Sequence, residues 1–293
     1  RARAESLHIP TFLCGPHGPY LPGSALKGAL RTGMLFARWK EGRLPGLEQL
    51  PGERISQPVG PSGAEERALG QPGENLMRAV AVSDSGPVPA AALKIYLLRV
   101  STLVPRGPGR YELGWKQAPR GSVEARRIEE STPWFAEMAV PGTVFEGFWR
   151  ENSYLAQADV RRALDWAEPV TTAALLGCAN RYAAEVLRLH RRYAVWAGLG
   201  GVDRNLAQLE IRLEAARAAG NACLLTMGWG GGLLSKTGWP DTDEDSYRRL
   251  LREASVYSRV LASGLPFPKT RRIVFLGNQP ASLPGWAWLE VMP

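Results

Sequence analysis

Hydrophobic positions recur at a helical spacing in several parts of the chain. After a turn rich in glycine and proline, apolar residues recur from Ser24 to about residue 40, and Ser24 is a natural N-cap. The pattern therefore predicts a helix over 24–40. The same spacing predicts further helices over about 153–166, over 179–197, from an Asp203 cap to a Gly220 stop, and over 246–262.

Other segments have the character of strands, because they carry β-branched and aromatic residues between glycine and proline. The predicted strands cover 8–13, 93–103, 122–130, 143–149, 224–227, 271–276 and 286–291. Residues 41–75 are rich in Pro, Gly and Glu without a sustained period, which predicts a long loop. Helices and strands are mixed rather than strictly alternating, so the expected fold class is α+β rather than a doubly wound sheet.

Length and composition are those of a globular protein. The 293 residues are 45% hydrophobic and 22% charged, enough for one large domain or two ordinary ones. No stretch of about 18 apolar residues and no signal-peptide pattern occurs, so neither a membrane span nor secretion is expected. Three cysteines, odd in number and far apart, favour a reducing, cytoplasmic compartment. The chain begins at Arg1 without a methionine, and we expect native residues upstream.

The charge balance raises the question of a nucleic-acid partner. The chain has 36 basic and 28 acidic residues, a net charge of +8, and 30 of the basic residues are arginine. The planar guanidinium suits phosphate and stacks on bases, which favours nucleic acid. Abundant Ala, Gly, Pro and Arg together also suit a GC-rich genome. Composition alone leaves both interpretations open.

The helix predicted over 24–40 opens with a cationic motif, Pro22-Gly-Ser-Ala-Leu-Lys-Gly-Ala-Leu-Arg31. At 100° per residue, Lys27, Arg31 and Arg38 share one face, while Leu26 and Leu30 form a separate stripe that can face a core. The turn before the helix also presents backbone N–H groups to an anion. The alternative is an amphipathic surface helix whose cations are only solvated.

A second motif is rich in glycine, Gly228-Trp-Gly-Gly-Gly-Leu-Leu-Ser-Lys-Thr237. Its glycines let a backbone approach a ligand closely, and Lys236 follows just behind them. A Walker A loop is disfavoured, because Ser235 stands where its second glycine belongs and no predicted strand ends in an aspartate for magnesium. A loop against a polynucleotide backbone and a purely structural turn both remain open. Trp229 and Trp239 bracket the loop, and either side chain can stack on a base.

Two predicted helices also carry arginine clusters. Arg188, Arg191 and Arg192 surround His190 in sequence, and a second face carries Arg248, Arg252 and Arg259. A run of charges is most often a solvated face, so neither cluster alone identifies a site.

Evidence for catalysis is thin. A metal-independent ribonuclease uses a histidine as acid or base and a cation for the phosphorane charge, and His17 near Lys27 or Arg31 is the best candidate. A zinc site from His8, Cys14 and His17 lacks a fourth ligand. We therefore expect no metal, no cofactor and no enzymatic activity.

The combination of motifs resembles a known family. The string Leu21–Arg31 resembles the helix-opening motif of the RAMP superfamily of CRISPR proteins, and Gly228–Gly232 resembles the glycine-rich loop of that superfamily. Together with three further strings, the motifs are similar to those of the fifth-subunit family of type III-A (Csm) effector complexes. These strings are Val82-Ser-Asp-Ser85, Leu234-Ser-Lys-Thr237 and Phe267-Pro-Lys-Thr-Arg-Arg272.

The resemblance implies two ferredoxin-like (RRM-like) RAMP domains, 1–160 with the long loop 41–75 and 161–293 with the glycine-rich loop 228–232. It also implies a non-catalytic subunit at the head of the effector filament, which binds the 3′ region of the crRNA and supports its 3′ maturation. Such chains open with a β-strand before the first motif. That strand is therefore expected upstream, or residues 8–13 belong to something else.

The resemblance also indicates partners and binding residues. The partners are crRNA and the neighbouring Csm-type RAMP backbone subunits, with a host exonuclease possible through the 41–75 loop. Recognition should follow the RNA backbone, because the spacer portion of a crRNA varies. The alternatives are a metal-independent RAMP endoribonuclease using His17, and the equivalent subunit of a type III-B complex. The expected RNA-binding residues are Ser24, Lys27, Gly28, Arg31, Gly228, Gly230, Gly231, Gly232 and Lys236.

Overall fold

Long helices pack against antiparallel sheets in the computed structural model, which describes residues 8–41, 61–117, 124–240 and 265–292. The helices are α1 Gly23–Lys40, α2 Pro61–Leu69, α3 Ala158–Ala163, α4 Thr172–Trp196 and α5 Gly200–Ala219. The strands are β1 Cys14–Gly15, β2 Gly18–Pro19, β3 Val80–Val82, β4 Leu93–Pro105, β5 Tyr111–Lys116, β6 Glu124–Ala125, β7 Trp134–Ala139, β8 Trp149–Glu151, β9 Ala222–Thr226, β10 Thr270–Leu276, β11 Gln279–Ser282 and β12 Trp286–Glu290. The mixture confirms the α+β class.

The largest sheet is built around β4, and all its pairings are antiparallel. One edge of β4 pairs with β10, and the other edge pairs first with β7 and then with β5. Strand β11 extends the sheet beyond β10, and β6 extends it beyond β5. Because β10 joins β4 directly, this sheet combines strands from both sides of residue 160. Three smaller pairs, β1–β2, β3–β8 and β9–β12, complete the strand order.

Helix α4 runs through the hydrophobic core and contacts α1, α5 and β9. Its buried residues Leu175 and Leu176 belong to a cluster with Leu30 of α1, and Leu187 belongs to a second cluster with Leu206 of α5. The helices α1 and α4 approach closely at Gly33, where a Cβ atom would lie 2.8 Å from the Cα atom of Ala179. No helix in the described part of the chain is long and apolar enough to cross a membrane.

The helical pattern located the long helices but not always their first residues. Helix α1 confirms the prediction over 24–40. Helix α4 begins seven residues earlier than predicted, at Thr172, because the Thr171 hydroxyl oxygen accepts the N–H of Ala174 at 3.2 Å. Helix α5 ends as predicted, with Gly220 in the left-handed region at φ 74°. Its predicted cap, Asp203, lies inside the helix and pairs with Arg191 instead.

One helix prediction was wrong in extent, and one predicted loop contains a helix. Only Ala158–Ala163 of the segment 153–166 is helical. The predicted loop 41–75 contains helix α2, which begins at Pro61, a residue suited to a first helical position, and is followed by Gly70 at φ 89°. Residues 42–60 of that loop and the helix predicted over 246–262 lie outside the described residues.

Strands β4, β9, β10 and β12 confirm four strand predictions, while three others were wrong. Residues 8–13 form isolated hydrogen bonds instead of a ladder: the Pro10 carbonyl oxygen accepts the Glu137 N–H at 2.9 Å, the Phe12 N–H donates to the Glu137 carboxylate, and the strand begins at Cys14. In 122–130, strand β6 is followed by a short 3₁₀ turn at 128–130. In 143–149 only Trp149 is in a strand. The prediction missed six of the described strands, β1, β2, β3, β5, β7 and β11.

Candidate nucleic-acid interface

The first turn of α1 is capped by the segment 83–85 rather than by its own serine. The backbone N–H of Gly23 donates to Asp84 Oδ1 at 2.8 Å, and the N–H of Leu21 donates to Ser85 Oγ at 2.9 Å. The predicted N-cap was therefore wrong, because the helix begins at Gly23 and leaves Ser24 exposed in its first turn. The Asp84 carboxylate therefore occupies the position at the start of α1 where the sequence analysis placed an external anion.

The two cations predicted on α1 both have partners within the protein. Lys27 Nζ donates to the carbonyl oxygen of Val80 at 2.8 Å, and burial lowers the pKa of its ammonium group. Arg31 Nη1 lies 3.1 Å from Glu65 Oε1, in a pair whose arginine side chain is 47% exposed. An exposed pair of this kind contributes only about 0–1 kcal/mol, so Arg31 can exchange Glu65 for a phosphate at little cost. Gly28 lies in open space, with nothing within 4 Å of an added Cβ.

The glycine-rich loop 228–232 is shaped by its own packing. Gly228 and Gly232 have positive φ values of 78° and 70°. A Cβ atom on Gly230 would lie 2.7 Å from Pro284 Cγ, and one on Gly231 would lie 2.5 Å from Ser235 Oγ. All four glycines are thus required by backbone conformation or by close internal contacts, and their approach to RNA stays a prediction.

Arg272 and Trp229 form a cation–aromatic pair on this loop. The Arg272 guanidinium lies 4.4 Å from the Trp229 ring centroid, and its Nη1 donates to the Trp229 carbonyl oxygen at 3.3 Å. Trp229 is 39% exposed, and its ring centroid lies 6.3 Å from that of Trp134 of β7, with the two rings tilted relative to each other. Burial lowers the pKa of Arg272, although an arginine stays charged at neutral pH. Within the described ranges, no carboxylate pairs with Arg272.

Lys236 adds a second cation close in sequence to the loop. Its side chain is exposed and, among the residues described, forms no ion pair. Trp239, in contrast, packs on Trp39 with 4.4 Å between ring centroids, so Trp229 is the loop tryptophan that is available to a base. Arg272 was missed as a site residue, because only the alternation of side chains along β10 separates it from the buried Arg271.

The predicted site residues fall into two groups. The glycine-rich loop contacts Pro284, Arg272 and Trp134. Lys27 and Arg31 instead contact Val80 and Glu65, respectively. Over the ranges that the structure describes, no hydrogen bond, ion pair or ring contact joins one group to the other.

The arginine cluster on α4 is largely neutralised by neighbouring carboxylates. Arg188 pairs with Glu185 at 2.5 Å, and Arg191 pairs with both Asp203 at 3.0 Å and Glu210 at 2.7 Å. The solvated, ion-paired interpretation therefore fits this face. The second predicted cluster, at 248–259, lies outside the described residues.

His190 is not part of that surface, contrary to the pattern, because its side chain is buried beside Arg271. Arg271 Nε donates to His190 Nδ1 at 2.9 Å, which requires a neutral imidazole with its proton on Nε2. Burial, with the Arg271 charge as a second cause, lowers the pKa of His190 well below its usual range. Burial also lowers the pKa of Arg271 to about 10, so Arg271 stays charged at neutral pH.

This pair predicts a loss of stability in acid. The unfolded imidazole takes up a proton near pH 6.5 and the buried one does not, so the free energy of unfolding falls as the pH drops below 6.5. The contribution of one such group is at most about 1.4 kcal/mol per pH unit. His190→Gln keeps an acceptor for Arg271 without titrating, and we expect a shallower fall. Urea unfolding of both proteins at several pH values between 6.5 and about 5 measures the free energy of unfolding. If that free energy falls equally steeply with pH in both proteins, His190 is not the neutral, buried group that we assign.

The fold and these motifs agree with the family comparison. The model of the RAMP superfamily matches residues 17–253, so the chain belongs to the RAMP superfamily, as its motifs predicted. No curated protein matches the chain significantly.

Two solved structures are similar to the chain. One is a chain in a cryo-EM structure of a Csm–crRNA–target RNA ternary complex of a type III-A CRISPR-Cas system. It is 20% identical, with a TM-score of 0.64, and the match covers 98% of this chain and 76% of that one. The other is Csm5 of T. onnurineus, 17% identical with a TM-score of 0.47, covering 95% of this chain and 73% of that one.

Proposed function

We propose that the chain is a non-catalytic, crRNA-binding subunit at the head of a type III-A (Csm) effector complex. It binds the 3′ region of the crRNA and supports its 3′ maturation in antiviral defence in the cytoplasm. The observation that carries the proposal is the exposed Trp229 ring stacked by Arg272 on the glycine-rich loop, an arginine without a carboxylate partner in the described part of the chain. An unneutralised guanidinium beside an exposed aromatic ring suits a phosphate and a neighbouring base.

This surface favours recognition of the RNA path over recognition of its sequence. Stacking tolerates every base, and a guanidinium binds any phosphate, so a variable spacer can be held. The proposal includes the finer architecture, with two ferredoxin-like domains at 1–160 and 161–293, of which the second contributes β10 and β11 to the sheet built around β4. It also includes the neighbouring Csm-type RAMP backbone subunits as protein partners. Recruitment of a host exonuclease through the loop 41–75 is compatible with it.

Photocrosslinking of the assembled complex tests the proposal. With 4-thiouridine placed at successive positions of the crRNA, we expect crosslinks to the segments 228–236 and 270–276 only from nucleotides near the 3′ end. Complexes that lack the subunit should carry crRNA with altered 3′ ends on a denaturing gel. Crosslinks confined to the 5′ tag, or crRNA of unchanged length and amount without the subunit, would contradict the proposed position.

Incubation of the pure protein with repeat RNA in EDTA tests the absence of catalysis. His17 is exposed in the turn between β1 and β2. We expect no site-specific cleavage. Cleavage that disappears in His17→Ala would establish the endoribonuclease alternative instead.

A further inference from the structure

An exposed apolar surface surrounds the segment 143–148. Phe148 is 85% exposed and Val144 is 70% exposed, while Phe145 between them stacks on Phe12 with 5.7 Å between ring centroids. Leu13 and Ile95 are also exposed. They adjoin the same surface, because Leu13 follows Phe12 and because Glu137, the register partner of Ile95, accepts the Phe12 N–H.

The backbone of this segment is paired on one side only. The carbonyl oxygen of Glu146 accepts the N–H of Gly86 at 2.8 Å, and that of Phe148 accepts the N–H of Ser83 at 3.0 Å. In the described part of the chain, the backbone groups of the alternating residues Phe145 and Gly147 form no hydrogen bond. The segment 143–148 is extended but is not part of a regular strand, so its backbone is bonded to the segment 83–86 at Glu146 and Phe148 and leaves Phe145 and Gly147 able to pair with another chain.

The charge of this surface is unfavourable for RNA. The segments that form it, 8–22, 83–95 and 137–148, contain no arginine in a chain that has 30, and their charged residues are Lys94, Asp84, Glu137 and Glu146. A surface with more carboxylates than cations repels phosphate. An exposed apolar patch of low charge is typical of a protein–protein contact.

We propose that this surface, Phe12, Leu13, Ile95, Val144, Phe145 and Phe148, docks an extended apolar segment of a neighbouring protein subunit. The partner's backbone pairs with the open edge at 145–147, and its apolar side chains cover Val144 and Phe148. Main-chain pairing to an exposed edge supplies the affinity, and the apolar side chains supply the specificity. The inference rests on the proposed function, since it assigns the protein-binding surface of a subunit that binds RNA elsewhere.

The test compares Val144→Glu/Phe148→Glu with a matched control, Val195→Glu/Ile211→Glu. The control also places two carboxylates at exposed apolar positions, 67% and 62% exposed, but on α4 and α5. Each protein is co-expressed with the other subunits of its effector complex and recovered through a tag on a backbone subunit. We expect recovery of the first variant to fall at least about tenfold, because carboxylates buried against apolar groups lose their hydration without gaining a partner. The control should be recovered at the wild-type level.

Three further measurements separate the outcomes. Circular dichroism and RNA affinity of the isolated first variant should match the wild type, which shows that the protein is folded and that only docking is impaired. Wild-type recovery of this variant, a parallel loss of RNA affinity, or a wild-type dimer in light scattering that the variant abolishes would overturn the inference. Failure of the wild-type chain itself to join the complex would overturn the proposed function, and the inference with it.

Discussion

Gly23→Ala is expected to destabilise the protein by about 1–3 kcal/mol, the usual cost of overpacking a rigid contact. The added methyl group would lie 2.5 Å from the carbonyl oxygens of both Val82 and Ser83, distances that Cβ atoms essentially never show. Both oxygens belong to the backbone, so neither can rotate away. The only relief is to separate α1 from the segment 82–85, which also breaks the hydrogen bond from Gly23 to Asp84.

Gly28→Ala is the matched control for this change. It makes the same substitution five residues further along the same helix, where an added Cβ meets nothing within 4 Å. An alanine in a helix interior is favoured over glycine by about 0.5–1 kcal/mol, so the control should stabilise the protein. Chemical unfolding of the two variants measures the difference. Equal stabilities would show that the segment 82–85 does not hold the start of α1.

The sequence predicted those elements whose pattern is decided locally. Helix α1, the Gly220 stop of α5 and the central parts of β4 and β10 follow from the spacing of apolar residues and from a glycine at a helix end. The segments 8–13 and 143–149 also have strand composition, but a strand needs a partner. In both segments the backbone forms only isolated hydrogen bonds, several of them with side chains, and no continuous ladder with a neighbouring strand. Composition cannot report such pairing between residues distant in sequence.

The candidate site shows the same division. Its glycines and Lys236 stand out in the sequence because they cluster within ten residues. Arg272 lies about 40 residues away on β10, and only the folded chain brings its guanidinium against the Trp229 ring. For a similar reason, His190 was wrongly grouped with the surface arginines, and the capping role of Asp84 was missed. The partners that define them, Arg271 and Gly23, are more than 60 residues distant.

Trp229→Ala combined with Arg272→Gln is expected to weaken binding of single-stranded RNA by about tenfold to a hundredfold, since a stacked base contributes about 1–3 kcal/mol. The glutamine retains much of the side-chain length while removing the charge. It should therefore also reduce the slope of log affinity against log salt by about 0.7 for each phosphate that the variant no longer neutralises. Fluorescence anisotropy with a labelled oligonucleotide at several salt concentrations gives both quantities.

Trp288→Ala combined with Arg212→Gln is the matched control for that variant. Trp288 is 40% exposed, almost the same as Trp229, and Arg212 is an exposed arginine on α5 that forms no ion pair among the described residues. The control removes the same chemical groups and the same unit of charge, so a general loss of positive charge would affect both proteins equally. We expect the control to bind RNA with nearly wild-type affinity and salt dependence. If both variants lose affinity to the same degree, RNA affinity depends on the net charge of the protein alone, and Trp229 and Arg272 do not form the binding site.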